Sequence, residues 1–124
     1  MTERADITSE SMWQRRAVWL LVGISILRIL WTLTAAVDLA ADEAYYWDWS
    51  RRLDWCYYSK PPMVAWLIAL STRLLGATTA MVRLPATLLS IATTVIVYLF
   101  ARRAFSARAG FWSIIAFTVA PGVF

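Results

Sequence analysis

Two apolar runs decide which solvent this chain can fold in. Residues 17–37 are 21 mostly apolar positions, and residues 84–101 are 18 positions without a charge. As a helix the first reaches roughly 31 Å, about the thickness of a bilayer's hydrocarbon core. With 60% hydrophobic and 16% charged residues and a mean hydropathy of +0.58, the chain falls among membrane proteins. The residues Leu39-Ala40-Ala41 would suit a signal peptidase. The run before them is too long for a signal peptide, however, and carries Arg28 at its middle, so it reads as a span.

The expected fold class is therefore all-α integral membrane, the N-terminal part of a larger multi-spanning fold. Residues 1–16 form a polar cytoplasmic lead, disordered through residue 14, and 17–37 the first transmembrane helix. Residues 38–83 form an extracytoplasmic loop with interfacial helices at 43–53 and 62–75. Residues 84–101 are the second transmembrane helix, 102–108 a cytoplasmic loop, and 109–124 the start of a third span. Asp42 is placed as the N-cap of the helix 43–53. Pro61 holds Lys60 in extended chain, and a helix can then begin with proline. The segment 62–75 has only eight uninterrupted apolar residues, 63–70, too few to cross, and Gly76 ends it.

Charge orients this scheme. If 62–75 does not cross, Arg102, Arg103 and Arg108 lie on the same side as Arg15 and Arg16, as the positive-inside tendency requires. The short loop 102–108 holds three arginines and no acid. The N-terminus is accordingly cytoplasmic, in a cell (inner) membrane. The formal charge of +4 is accounted for by arginines flanking apolar segments, so no nucleic-acid partner is expected. Arg28 in mid-membrane, with no acid at its own depth, implies further helices or a wet cavity.

Between the spans lies the one chemically dense stretch, residues 42–62. It holds four of eight acids (Asp42, Glu43, Asp48, Asp54), the only lysine (Lys60) and seven of eighteen aromatics. It reads either as a reaction site or as an interfacial anchor. A lone Cys56 excludes an internal disulfide, and the chain has no histidine, so proton transfer falls to carboxylate, lysine or tyrosine.

Three ordered motifs carry a resemblance: Asp42-Glu43-Ala44-Tyr45-Tyr46-Trp47, then Tyr57-Tyr58-Ser59-Lys60-Pro61-Pro62, then Val82-Arg83-Leu84-Pro85-Ala86. From about Arg28 onward the chain resembles the N-terminal region of the polyprenyl-phosphate-sugar-dependent membrane glycosyltransferases. That superfamily contains the protein O-mannosyltransferases and the lipid A aminoarabinose transferases. The resemblance implies an essential aspartate at Asp42, juxtamembrane helices in the first outer loop, and a lipid-linked phosphosugar donor. Transfer goes to a lipid, glycan or protein hydroxyl with inversion. A glutamate before the Lys-Pro pair serves a metal site in some aminoarabinose transferases. Here that position is Ser59, so no metal or other cofactor is carried over.

Such a reaction needs a base for the acceptor hydroxyl, with Asp42 and Glu43 as candidates. About 100° apart on a helix, the two do not face one cleft together. The leaving phosphate needs cations, with Lys60 and Arg83 as candidates, Arg83 as a bidentate fork. Each has a plainer reading: Asp42 as helix cap, Arg83 as interfacial anchor, Lys60 as snorkelling loop lysine. The aromatics form an interfacial belt, or in the sharper reading Tyr46 and Tyr58 contact the sugar. Arg28 is a bundle-buried charge or part of the donor path, and Arg51 and Arg52 meet membrane lipid headgroups. Two other functions compete: a small non-enzymatic membrane subunit, and the start of a transporter. As a glycosyltransferase, this piece alone is expected to be inactive.

Overall fold

A computed structural model of the chain describes residues 2–34, 37–57 and 61–120. They form five helices: α1 (Thr2–Thr34), α2 (Ala41–Arg51), α3 (Met63–Leu75), α4 (Thr79–Ala104) and α5 (Ala107–Val119). Two stretches, Ser9–Thr34 and Thr79–Ala104, are long and apolar enough to cross a membrane. Their large apolar side chains face outward: Trp19 is 73% exposed, Trp31 69% and Phe100 69%. Outward apolar surface on long helices is what lipid solvates. By contrast α3, at 13 residues, reaches roughly 20 Å and is shorter than the bilayer core.

Several boundaries differ from expectation. The lead is helical from Thr2, because no Gly or Pro interrupts residues 2–22 and an established helix extends at little cost. α4 begins five residues before 84 and takes Pro85 into its interior. The loop expected at 102–108 contracts to Phe105 and Ser106, since α4 runs to Ala104 and Ser106 caps α5 by accepting the Ala109 N–H at 3.2 Å. Gly76 ends α3 as expected, at φ 102°, a backbone region that favours glycine.

The chain divides into two compact units. In the first, residues 1–27 and 89–124, buried Ala17, Tyr98 and Ile114 form a core edged by Leu20, Leu21, Ile24 and Phe111. Gly110 lets α5 approach the Tyr98 ring. Glu10 accepts the Ala107 N–H at 3.4 Å, placing an acid at the positive end of α5. Trp13 packs on Phe111, with Arg16 and Arg108 over its ring.

The second unit, residues 28–88, holds the polar loop. α3 buries Ala65, Ile68 and Ala69, an i, i+3, i+4 stripe. Pro85 has no N–H, and its ring crowds the carbonyl four residues earlier, that of Met81. Ser71 of α3 satisfies that carbonyl, its hydroxyl donating at 2.7 Å. A proline in α4 and a serine in α3 thereby fasten two helices. The Thr32 and Thr87 hydroxyls, 2.8 Å apart, join α1 to α4.

Candidate functional site

Arg83, in the second turn of α4, reaches into the loop. Its Nε donates to Glu43 Oε1 at 2.9 Å and its Nη2 to Glu43 Oε2 at 2.8 Å, a fork-to-fork ion pair. Nη2 also donates to the Asp38 carbonyl at 3.0 Å, and Nη1 to the Val37 carbonyl at 3.2 Å. These four bonds use four of the five N–H groups a guanidinium has. The pair is partly sheltered, with the side chains 20% and 31% exposed.

Glu43 Oε2 additionally accepts the Ala40 N–H at 2.9 Å. This is one half of a capping box; Ala40, the N-cap, has no side-chain oxygen to supply the other half. α2 starts at Ala41, two residues before the expected 43, because Glu43 closes the first turn from its third position. It ends at Arg51, two residues short of 53. Asp42 is therefore not the N-cap but the second helical residue. It is exposed, and its carboxylate makes no hydrogen bond or ion pair among the described residues.

The two adjacent acids thus occupy different environments. The Arg83 hydrogen bonds hold the Glu43 carboxyl below its ordinary value of 4.5; partial burial opposes this, and the Ala40 N–H and the Arg83 charge reinforce it. A carboxylate stabilised in this way is a weak base. Three donors already meet its two oxygens.

The loop after α2 is closed by an aromatic device. Tyr57 stacks on Trp49 at 5.0 Å and 14°. Its hydroxyl accepts the Asp54 N–H at 3.0 Å and lies 3.0 Å from the Trp49 carbonyl and 2.9 Å from that of Arg52. It caps the end of α2, where carbonyls lack helical partners. Trp66 of α3 donates its indole N–H to the Asp54 carbonyl at 3.3 Å and meets Trp55 edge-on. Four residues expected in the interfacial belt or the following helix therefore fasten the loop after α2, Trp49 and Tyr57 to α2 and Trp55 and Trp66 to α3. Tyr46 packs edge-on against Trp49 at 5.7 Å, and Arg51 lies over Trp47. Arg28 is buried. Tyr58, Ser59 and Lys60 lie outside the described residues. Among the described residues no three His, Cys, Asp or Glu side chains are grouped as a metal site would require.

Sequence reasoning missed the Glu43–Arg83 pairing and the Tyr57 cap. One signal was available for the first. No acid follows Asp54, so any ion pair within the chain made by Arg83 has to reach back to the loop or beyond it.

Residues 59–124, just over half the chain, match the dolichyl-phosphate-mannose-protein mannosyltransferase family. The chain belongs to this family. It is also similar to the lipid A galacturonosyltransferase RgtD of Rhizobium johnstonii, with 34% identity over 110 residues. That likeness takes in 88% of this chain and 23% of the relative, so the chain spans less than a quarter of that protein's length. No solved structure matches it. Within the mannosyltransferase family match lie α3, α4 and Arg83. Asp42 and Glu43 precede it.

Proposed function

We propose that the full-length protein is a membrane glycosyltransferase moving a sugar from a polyprenyl-phosphate donor to a hydroxyl on the extracytoplasmic face. The N-terminus is cytoplasmic and the loop carrying α2 and α3 faces outward. Asp42 acts as base. One observation carries this choice between the two acids: Glu43 is committed to Arg83 and Ala40, whereas Asp42 is exposed and its carboxylate has no hydrogen bond or ion pair among the described residues.

The acceptor oxygen attacks the anomeric carbon, and its proton passes to the Asp42 carboxylate. A carbon–oxygen bond forms on one face as the bond to the phosphate oxygen breaks on the other, inverting the centre. The electron pair leaves with the polyprenyl phosphate, whose charge needs a fixed cation. Lys60 takes that role. Arg83, with four N–H groups already bonded, contributes at most its remaining one. Among acceptors a lipid is favoured, because the similar Rhizobium protein is named a lipid A galacturonosyltransferase.

The test is transfer by the purified full-length protein from a panel of polyprenyl-phosphate sugars, galacturonate included, to lipid A. Turnover with at least one donor is expected. Asp42→Asn should lower it by about 10²–10⁴-fold, the usual worth of a general base, with membrane insertion intact. Undiminished turnover in that variant removes Asp42 from the mechanism.

A further inference from the structure

We infer that Glu43 and Arg83 are a positioning pair that holds the Asp42 carboxylate in place, an inference that rests on Asp42 being the base. Among the described residues the Asp42 carboxylate has no hydrogen bond or ion pair to orient it. Its position depends on the first turn of α2, and that turn is poorly supported by its own sequence. Ala40 offers no capping oxygen, and a helix of 11 residues is marginal in isolation. The missing support comes from residue 43 and from 40 residues downstream.

Glu43 ties the Ala40 N–H from one side, so the residues flanking Ala41 and Asp42 are bonded to each other across them. Arg83 then fixes Glu43 through two parallel bonds, and the exit from α1 through the Val37 and Asp38 carbonyls. One guanidinium thus joins three stretches of chain around the base. Only a planar fork does this: an ammonium has three donors on a single nitrogen and cannot span both carboxylate oxygens and two carbonyls. This arrangement also argues against Arg83 as the phosphate fork, because the edge that would grip two phosphate oxygens already grips Glu43.

The test is a double-mutant cycle in the full-length protein, with Glu43→Gln, Arg83→Lys and the pair combined, assayed with polyprenyl-phosphate galacturonate and lipid A. For a positioning pair, each single variant lowers kcat at least about tenfold while the donor KM stays within about threefold. The combined variant is no worse than the poorer single one, because the second change has nothing left to break. The acidic limb of the kcat–pH profile survives in every variant, since the proposed base is retained in each. Losses that multiply, unchanged kcat in either single variant, or a donor KM raised tenfold by Arg83→Lys with kcat intact would each overturn the pairing. So would loss of the acidic limb in Glu43→Gln, which would make Glu43 the base. Arg83→Lys keeps the charge at the same depth, and its kcat against KM decides the matter if Glu43→Gln fails to accumulate. Asp42→Asn separates the two layers: turnover retained there ends the base assignment whatever the cycle shows.

Discussion

The fastening of α3 to α4 predicts a specific non-additivity. Ser71→Ala removes the hydroxyl that donates to the Met81 carbonyl at 2.7 Å. No backbone amide can replace it, because residue 85 is proline. A half-buried carbonyl left without a donor costs about 1 kcal/mol, between the small mean for membrane-embedded hydrogen bonds and the value for a fully buried orphan. With Pro85→Ala in place, residue 85 regains an N–H at the position that serves Met81 in an ordinary helix. The Ser71 hydroxyl then falls back on its other acceptor, the Ile68 carbonyl at 2.9 Å, which also accepts the Thr72 hydroxyl. Losing such a back-bond within a helix leaves no group unsatisfied and costs about 0.3 kcal/mol or less. The coupling is therefore about 0.7 kcal/mol, above the usual scatter for independent sites of roughly 0.3–0.5. It is measured by SDS-unfolding titration of the four variants in mild detergent. The intrinsic effect of Pro85→Ala on the helix cancels in the cycle. An equal cost of Ser71→Ala with proline or alanine at 85 refutes the reasoning.

Other outcomes follow from single contacts. Because the folded-state pKa of Glu43 is depressed, the ion pair's stabilisation is complete above the ordinary value of 4.5 and is lost as pH falls through the lower folded value. Amide protection over residues 37–51 should therefore be flat at neutral pH and fall only below 4.5, and Glu43→Gln should abolish that acid dependence. Tyr57→Phe keeps the stack on Trp49 but deletes the hydroxyl that serves two carbonyls and one amide. A loss of about 1 kcal/mol of local stability should appear as roughly five-fold faster tryptic cleavage after Arg51 or Arg52. Gly110→Ala puts a methyl 3.1 Å from two ring carbons of Tyr98 and 3.3 Å from Arg102 Cβ. Overpacking against the buried Tyr98 ring costs about 1–3 kcal/mol and alanine regains about 1 kcal/mol over glycine within a helix, so a net loss of up to about 2 kcal/mol is read as a lowered Tm in detergent.

What was legible in the sequence was what depends on local pattern. The membrane spans follow from apolar length alone, and α3 ends at Gly76 because few other residues adopt that backbone. The start of α2 was misread for an equally local reason: Asp42 looks like a cap, while the capping atom belongs to Glu43 and points backward from inside the helix. The Tyr57 hydroxyl and the Ser71–Met81 bond were invisible for a different reason. Each depends on where a neighbouring element brings its side chain, and residue type fixes only that the tyrosine is amphipathic and the serine polar. Even so, Pro85 inside an apolar run announces an unsatisfied carbonyl at Met81, so the need was readable although the donor was not.

The two acids of the loop show why adjacency in sequence does not mean equivalence in chemistry. Side chains one residue apart diverge by about 100° on a helix, enough for one to enter the Arg83 fork while the other stays exposed. The cation lowers the proton affinity of Glu43, the acid it holds, so similar side chains one residue apart come to differ in partners and exposure. The same cation has four of its five N–H groups taken up within the chain. On the proposed reading, the charge that meets the leaving phosphate has to be supplied by Lys60 or by parts of the longer protein beyond the span this chain shares with its galacturonosyltransferase relative. Arg83→Lys and Lys60→Gln should then differ in kind: the first lowering kcat through Asp42 with the donor KM unchanged, the second raising the donor KM. If both variants failed in the same way, the division of labour between clasp and phosphate site would have to be abandoned.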